Sequence, residues 1–526
     1  MTTLFLDLAR NVLAVLFLVY TVVAITHYVL QLRYAHATYR RQRDPAFAET
    51  YPDLPIAVDI IIPVYNEEPD LLAACIDSAL SQDHPGRIQV IVVDDGSPNR
   101  ALMEPIYSSA EAGGAIVIRS PRNVGKRHAQ ALALPRCAGD IVVTLDSDSV
   151  LAADAVRRLT RQFVDPRVGA ATGFVDVSND RLNLLTKIQR VRYWMAFNQE
   201  RAAQTAFRTV MCCSGPLAAY RTEVLRSVAD AYLNQRYGGV DCTYGDDRHL
   251  TNLVLGQGYD TVFDSGAVAY TNVPTSLRQF LRQQLRWNKS FYRELVWTLP
   301  FLSSRPWYTR FDVASQVMMP VMLTVTAASA IIVGTLGSPL YLLRYLVMIA
   351  IAAAIRATYA AWRERDAHFY LFILYGYMSA FLLMSVRLVA LSTLTDARWG
   401  TRGPEPTNGT RARILQASPM VPAMAGASAG ATAGVIAAPV AAPVAAAPAT
   451  PFDGAWRAGL VERHMMQATP MDVRPVAAVA PILEAPLFDV VGPPQASWPT
   501  CSSCRYPVPR TAAFCRRCGS ALQLPA

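Results

Sequence analysis

Four long apolar stretches, separated by one long region of mixed polarity, dominate the hydrophobic pattern of this chain. The first stretch covers about 8–32, and the others cover about 313–336, 340–362 and 369–394. A helix needs about 20 apolar residues to cross the hydrocarbon core of a bilayer, so each stretch is long enough to be a transmembrane helix. The pattern therefore predicts a membrane protein in which a polar domain is inserted between transmembrane helices.

Basic residues next to the apolar stretches predict their orientation. A basic run from Arg33 to Arg43 follows the first stretch, so the positive-inside rule places the next region in the cytoplasm. The alternative is a cleaved signal peptide, whose apolar part would be shorter and would end at small residues. If all later stretches crossed the membrane, the basic residues after them would lie outside. Residues 369–394, which contain Arg387, are therefore predicted to be either transmembrane or re-entrant and interfacial.

Residues 276–307 mix basic side chains with large apolar ones. Arg282 and Lys289 alternate with Leu285, Phe291 and Trp297 at helical spacing. This pattern is typical of amphipathic helices that lie at a membrane surface. An ordinary surface helix of the polar domain is the alternative.

The polar region, 53–275, alternates short β-branched runs with helical patterns. Runs rich in Ile and Val occupy 56–65, 88–95, 115–120 and 140–148, and helical patterns follow the first three at 68–81, 101–112 and 124–138. Nearly continuous Ile and Val indicate strands that are buried on both faces. Strand and helix alternation predicts an α/β domain with a mostly parallel sheet covered on both faces.

Acidic residues follow three of these predicted strands. Glu67 follows the first, Asp95 the second, and Asp146 and Asp148 the fourth. Ligands of parallel sheets bind at the carboxyl ends of the strands, so these carboxylates are expected to converge. Converging carboxylates favour a hard divalent cation, Mg²⁺ or Mn²⁺, that bridges substrate phosphates. Each cluster taken singly also fits a helix cap or a turn.

The segment Arg122–His128 places a glycine and two cations at the start of a predicted helix. A helix N-terminus with basic side chains is in outline a pyrophosphate site. A solvated basic loop is the alternative, and His128 is predicted to be structural.

Composition agrees with a membrane protein that has a substantial soluble part. Hydrophobic residues make up 52% of the 526 residues, charged residues 17%, and the net charge is +9. These values exclude a wholly disordered chain, a collagen and a small disulfide-stapled protein.

Two segments at the C-terminal end have a composition of their own. Residues 414–499 are rich in Ala and Pro and are predicted to form a flexible linker. Residues 500–520 contain two Cys-x2-Cys pairs, which predict a zinc ribbon with one structural Zn²⁺ and an unknown partner. Two local disulfides are the alternative. The four cysteines are Cys501, Cys504, Cys515 and Cys518.

Five short motifs in fixed order resemble the processive family 2 glycosyltransferases, which include hyaluronan, chitin and cellulose synthases. They are PVYNEE, VVDDGS, DSD, GDDRHLT and Q-x-x-RW. The resemblance implies a cytosolic nucleotide-sugar-binding domain of GT-A type, joined to transmembrane helices in the plasma membrane. The motif WGTR, within 395–413, most resembles the gating loop of hyaluronan synthases. Two departures are the single apolar stretch before the domain and the lack of one after WGTR.

The resemblance also assigns roles to individual residues. It implies that Asp148, with Asp146, binds Mg²⁺ or Mn²⁺ and that Asp247, next to Asp246, is the general base. Gln283 and Trp287 would bind the acceptor sugar. The residues assigned to the nucleotide sugar are Tyr65, Glu67, Asp95, Lys126, Arg127, Asp146, Arg286, Trp399 and Arg402.

The function that the resemblance implies is polymerisation of UDP-sugars into an extracellular β-linked polysaccharide by inverting, single displacement. A hyaluronan synthase, which uses UDP-GlcNAc and UDP-glucuronate, is the main hypothesis. A chitin-oligosaccharide or other β-linked N-acetylglucosamine synthase is the alternative within the same class. Non-processive transfer to a short or lipid acceptor is a third hypothesis. An inactive membrane scaffold that presents the zinc ribbon is the hypothesis from another class.

Overall fold

An eight-stranded mixed sheet forms the centre of the polar domain in this computed structural model. The structure describes residues 2–336 and 338–396, with side chains from residue 15 apart from that of Leu336. Trp399, Arg402, the 414–499 linker and the four ribbon cysteines lie outside the described residues. The strands are β1 Val58–Val64, β2 Ile88–Asp94, β3 Ile116–Arg119, β4 Ile141–Thr144, β5 Ser149–Leu151, β6 Val168–Val177, β7 Ala218–Arg221, β8 Arg236–Tyr237, β9 Val240–Asp241 and β10 Asp260–Thr271.

Helices flank this sheet and continue beyond it. They are α1 Thr2–Arg43, α2 Pro45–Thr50, α3 Pro69–Leu80, α4 Arg100–Ala112, α5 Lys126–Ala133, α6 Ala155–Arg161, α7 Leu184–Met195, α8 Ala202–Thr205, α9 Thr222–Leu233, α10 Asp246–Gly256, α11 Leu277–Leu302, α12 Trp307–Leu336, α13 Pro339–Glu364, α14 Phe372–Tyr377 and α15 Leu383–Ser392. Three short 3₁₀ turns span Leu134–Arg136, Gln162–Val164 and Ala367–Leu371. Two π-helical turns span Ala196–Arg201 and Met378–Leu382.

The strand order is β3-β2-β1-β4-β7-β6-β10-β5, and most strands run in one direction. Strands β1 to β4 pair in parallel, as do β6 and β10. Only β7 and β5 run against their neighbours in this sheet. The predicted mostly parallel α/β domain is therefore confirmed, and the carboxyl ends of β1, β2 and β4 meet at one edge. The remaining pair, β8 and β9, forms a separate two-stranded sheet.

Apolar side chains on both faces of the central strands form the core. Along β1, Ile60 and Ile62 pack in the same cluster as Leu72 of α3. Ile61 points to the other face, where it shares a cluster with Ala129 of α5. Successive side chains of a strand alternate between faces, so continuous Ile and Val fill both cores at once.

Within the described residues, four helical segments are long and apolar enough to cross a membrane by length and composition. They are Val15–Arg43, Trp307–Thr335, Pro339–Glu364 and Ala367–Ser392. The first begins in the predicted stretch and extends past it through the arginine run. The predicted amphipathic segment forms α11, whose buried side includes Phe280 and Tyr292 while Leu277 and Val296 are exposed.

The last apolar segment contacts the polar domain near both of its ends. Near its start, the ring of Phe369 lies 5.1 Å from that of Trp194 in α7. Just beyond its end, the carbonyl of Asp396 accepts a hydrogen bond from Tyr244 at 2.9 Å. Between these points Arg387 donates to the backbone carbonyl of Ser379 at 3.0 Å. This contact joins α15 to the π-helical turn that precedes it.

Candidate active site

A cavity of about 260 Å³ opens at the carboxyl ends of β1, β2 and β4. Its walls come from the loops after these strands, from the start of α5 and from α11. The lining residues are Pro63, Val64, Tyr65, Glu67, Asp95, Lys126, Asp146, Ser147, Asp148 and Arg286. The structure thus brings together seven of the residues that the motifs single out, although they are spread over more than half of the described chain.

Short hydrogen bonds hold the loops at this edge of the sheet together. The Ser147 hydroxyl donates to Glu67 Oε2 at 2.8 Å, which connects the loops after β4 and β1. The side-chain amide of Asn99 donates to the Glu67 carbonyl at 2.8 Å, which adds the loop after β2. Asn66 adopts a φ of 53°, a left-handed conformation that Asn tolerates better than most residues. The turn it makes points Glu67 along the cavity wall.

Asp95 shapes the loop that leads into α5 and to Lys126, one of the two basic residues that line the cavity. Its two carboxylate oxygens accept the backbone N–H groups of Val124 at 2.6 Å and Gly125 at 2.9 Å. Gly125 has a φ of 89°, which only glycine adopts readily. This arrangement starts α5 at Lys126 and directs its side chain into the cavity.

Four carboxylates and two basic side chains line the cavity: Glu67, Asp95, Asp146, Asp148, Lys126 and Arg286. Lys126 forms an ion pair with Asp146. Burial, together with the carboxylates of Asp146 and Glu67, raises the pKa of Asp148 to about 7. Asp148 accepts a hydrogen bond from the Ser149 hydroxyl at 3.2 Å. Like charges at close range make such a site unfavourable without a compensating cation.

The carboxylates of this cavity could supply only some of the oxygen ligands that a divalent cation such as Mg²⁺ needs. Within residues 2–336 and 338–396 there is no group of three or more His, Cys, Asp or Glu side chains arranged to hold a metal ion. Mg²⁺ in phosphate-binding sites typically takes one or two carboxylates and completes its shell with phosphate and water. Asp148 and Asp146 fit that division of ligands.

Arg127 is not among the residues that line the cavity, so the structure does not bring it together with the other residues assigned to the nucleotide sugar. The Arg127 guanidinium is buried and forms an ion pair with Asp246, which is also buried. It also donates to the carbonyl of Tyr232 at 3.2 Å. Neighbouring positions of a helix point about 100° apart, so Lys126 and Arg127 face different sides. For the same reason Asp246 and Asp247 face different sides of α10, and Asp246 forms the ion pair with Arg127. The catalytic role of Asp246 stays a prediction.

Asp247, the predicted general base, lies in the first turn of α10. Its Oδ1 accepts the backbone N–H of Arg248 at 2.8 Å. Its Oδ2 accepts a hydrogen bond from the Cys212 thiol at 3.3 Å. Gly215 follows Cys212 by three residues. A Cβ atom added at Gly215 would lie 3.1 Å from Asp146 Oδ2 and 3.1 Å from Lys126 Nζ. The segment 212–215 spans at most about 10 Å, and the Asp247 carboxylate interacts electrostatically with Lys126.

The predicted acceptor-binding residues lie on α11. Trp287 is half exposed, and its ring lies 6.2 Å from that of Tyr193. Burial and the carboxylates of Asp148 and Asp146 raise the pKa of Tyr193, which places this tyrosine near the cavity. Gln283 Oε1 is buried and accepts no hydrogen bond from the described residues. A polar atom of this kind is available to a sugar hydroxyl.

A buried polar network joins α10 to α11. Glu294 accepts hydrogen bonds from Gln235 at 2.5 Å, from Asn252 at 3.0 Å and from His249 at 3.1 Å. All four side chains are buried. Because removing a partner from a buried hydrogen-bonded carboxylate is costly, the two helices are held in a fixed relation.

Three residues at this site were not predicted from the sequence. Ser147 lies inside the DSD motif, so attention to the residue between the two aspartates would have found it, whereas Cys212 belongs to none of the five motifs. Tyr193 stands in an ordinary amphipathic helix, α7, and no local pattern distinguishes it. Only the packing of α7 against the cavity shows its position.

The domain built in this way is a glycosyltransferase domain of GT-A type, with the apolar helices before and after it. The family model of glycosyl transferase family 2 matches residues 59–229. An N-acetylglucosaminyltransferase of Rhizobium sp. (strain N33) is 40% identical over 374 residues, which cover 70% of this chain and 82% of the relative. The chain belongs to glycosyl transferase family 2.

Other relatives and a solved structure extend this similarity. An N-acetylglucosaminyltransferase of Rhizobium meliloti (strain 1021) is 38% identical over 411 residues, which cover 75% of this chain and 95% of the relative. One from Bradyrhizobium diazoefficiens is 40% identical over 351 residues, 66% of this chain and 71% of the relative. A mannosyltransferase from Pyrobaculum calidifontis, solved with GDP-mannose and Mn²⁺, superposes with a TM-score of 0.48 at 21% identity, covering 70% of this chain and 99% of that one.

Proposed function

We propose that this protein transfers N-acetylglucosamine from UDP-GlcNAc to the non-reducing end of a growing β-linked N-acetylglucosamine oligomer. The observation that carries the proposal is that two kinds of group lie at the two ends of the segment 212–215. The carboxylates and Lys126 of the cavity suit a nucleotide diphosphate, and Asp247 lies across the 212–215 segment from them. One base and one leaving-group site on opposite sides of an anomeric carbon give a single displacement, which inverts an α-linked donor to a β-linked product.

Each group of the chain has a definite part in this mechanism. Lys126 and Arg286 neutralise the diphosphate, and Tyr65 and Glu67 flank the nucleotide in the cavity. Asp247 accepts the proton of the attacking acceptor hydroxyl, a task that typically contributes 10²–10⁴-fold to the rate. Trp287 stacks on the acceptor sugar. A Mg²⁺ or Mn²⁺ ion held by Asp148 and Asp146 would stabilise the negative charge of the departing diphosphate.

The identity of the donor separates this proposal from a hyaluronan synthase. The relatives that cover most of this chain are named N-acetylglucosaminyltransferases, at 38–40% identity. The motif that favours hyaluronan, Trp399 to Arg402, lies outside the described residues. The N-acetylglucosamine alternative is therefore the better supported one.

Product analysis with radiolabelled donors tests the proposal. Purified protein in lipid vesicles should form a chitinase-sensitive oligomer from UDP-GlcNAc alone in the presence of Mg²⁺ or Mn²⁺. Addition of UDP-glucuronate should change neither rate nor product. The Asp247→Asn variant, which keeps the shape of the side chain, is the matched negative control. A product that forms only with both donors and is cleaved by hyaluronidase would establish the hyaluronan synthase instead.

We also propose that the last apolar segment is re-entrant. Both of its ends contact the polar domain: Phe369 packs on Trp194, and Asp396 accepts hydrogen bonds from Tyr244 and from Lys289 at 3.3 Å. Contacts of both ends with one domain are difficult to combine with a full crossing. The basic residues after the segment then stay on the catalytic side, as the positive-inside rule requires.

Labelling of single introduced cysteines with a membrane-impermeant maleimide tests this topology. Thr395→Cys should react from the same side as Ser304→Cys, which lies at the end of the catalytic domain, and from the side opposite to Ser338→Cys in the turn between α12 and α13. All three changes are made in a chain whose native cysteines outside the domain core are replaced by serine. Reaction of Thr395→Cys together with Ser338→Cys would establish a full crossing.

A further inference from the structure

We propose that Cys212 is a positioning residue, whose thiol holds the Asp247 carboxylate in the orientation in which it accepts the acceptor's proton. This inference rests on the proposed role of Asp247 as the general base. Cys212 Sγ lies 3.3 Å from Asp247 Oδ2, within the range of a thiol hydrogen bond. The other oxygen, Oδ1, is already fixed by the backbone N–H of Arg248. The thiol therefore restrains the carboxylate's remaining rotation.

The backbone around Cys212 is fixed from two sides, so the thiol's direction is built into the fold. Arg201, in the π-helical turn, donates to the Cys212 carbonyl at 3.0 Å and to the Ser214 hydroxyl at 2.8 Å. The N–H of Cys213 donates to the Thr251 hydroxyl at 2.8 Å. Thr251 in turn donates to the Asp247 carbonyl at 2.7 Å. Cys212 and Asp247 are thus connected through backbone as well as through their side chains.

The thiol remains a donor throughout the neutral range. Burial and the Asp247 carboxylate raise the pKa of Cys212 to about 11. A protonated thiol is a weak donor, so it orients a carboxylate while withdrawing little of its basicity. A serine hydroxyl would form a shorter and stronger bond with the carboxylate, which stabilises the ionised form. The chemistry of sulfur therefore matches a group that must later take up a proton.

Other charged groups also face the Asp247 carboxylate. Arg201 and Arg248 act on the Cys212–Asp247 pair from the π-helical turn and from α10. Lys126 acts from α5, and Asp246 adds a negative charge from the same turn of α10. The buried hydroxyls of Tyr220 and Tyr232 face it from β7 and α9. None of these groups changes when Cys212 is replaced, so a shift in the pH profile reports the loss of the thiol.

Two substitutions at Cys212 test the proposal through kinetics in lipid vesicles. Cys212→Ala should lower kcat by about 3- to 10-fold, the effect of one ordinary hydrogen bond, and leave KM for UDP-GlcNAc within twofold. Cys212→Ser should recover part of kcat and move the acidic limb of the kcat–pH profile to lower pH, because a hydroxyl stabilises the carboxylate. A merely structural role would not move that limb in Cys212→Ser.

The control is Cys213→Ala, which removes the neighbouring buried thiol, whose hydrogen bond is with Thr251 and whose interaction with the Asp247 carboxylate is only electrostatic. It should leave the pH profile in place. UDP affinity, measured for every variant, shows that the donor site is folded. In the Asp247→Asn background, Cys212→Ala should have no further effect on the residual rate, since there is no base left to orient.

The outcomes separate the two proposals. If Asp247→Asn retains wild-type kcat, the base assignment is wrong, and the role of Cys212 is wrong with it. If Asp247→Asn is inactive while both Cys212 variants have wild-type kcat and pH profile, only the positioning role is overturned. A Cys212→Ala effect that persists unchanged in the Asp247→Asn background also overturns it, because the effect would then arise elsewhere.

Discussion

Removal of the Asp246 carboxylate should destabilise the domain rather than disable its chemistry. In Asp246→Ala the Arg127 guanidinium stays buried, with only backbone carbonyls such as that of Tyr232 to accept its hydrogen bonds. Breaking a buried ion pair in this way costs about 3–5 kcal/mol in free energy of unfolding. For a domain of this size about 1 kcal/mol lowers Tm by roughly 2–4 °C, so the expected drop in Tm is about 6–20 °C.

Thermal unfolding of the detergent-purified protein, followed by intrinsic fluorescence with and without UDP, measures this effect. Asp247→Asn, one residue away and outside the ion pair, is the matched control and should unfold within about 2 °C of wild type. The double variant Arg127→Met with Asp246→Leu should regain most of the stability, because apolar residues of similar volume often replace a buried pair without loss. A wild-type Tm for Asp246→Ala combined with a large loss of kcat would refute this reasoning and return Asp246 to the catalytic group.

Three further predictions concern the cation, the acceptor and the tail. Since the pKa of Asp148 is raised to about 7, its carboxylate is protonated at lower pH, and Mn²⁺ should bind roughly tenfold more weakly at pH 6 than at pH 8; equal affinity by calorimetry would exclude Asp148 as a ligand. Trp287→Ala should shorten the oligomers without changing UDP affinity by more than twofold, and an unchanged length distribution on gels would speak against acceptor stacking. Truncation after Arg413 should remove stoichiometric zinc, measured by mass spectrometry, while transferase activity in vesicles persists; a full-length protein without zinc would contradict the ribbon.

The first half of the sheet could be predicted from the sequence, and the second half could not. Strands β1 to β4 are runs of Ile and Val, and each observed strand lies inside its predicted run. Strands β6 and β7 are rich in Ala and Gly, with sequences VGAATGFVDV and AAYR, which have little β-propensity. They form strands because the neighbouring strands and helices offer them buried positions. Tertiary context of this kind leaves no local signal.

The motifs predicted which residues gather at the site but not which way adjacent residues point. Lys126 and Arg127 are adjacent and carry the same charge, as do Asp246 and Asp247, so the sequence alone does not distinguish the two members of either pair. Each pair lies at the start of a helix. Lys126 lines the cavity and Asp247 contacts Cys212, whereas Arg127 and Asp246 form a buried ion pair. The orientation depends on the start of the helix, which Gly125 and Gly245 set by their positive φ angles. A shift of one residue would exchange the roles.

The buried Glu294 network has a consequence for how a polymer moves. It fixes α10, which begins with the proposed base, to α11, which carries Trp287. In the proposed function, this network would keep the distance between Asp247 and Trp287 constant. After each addition the new terminal sugar must take the place of the old one. If α10 and α11 do not move, the oligosaccharide itself must move. Under the proposed function, translocation would then be a sliding of the product along these two helices.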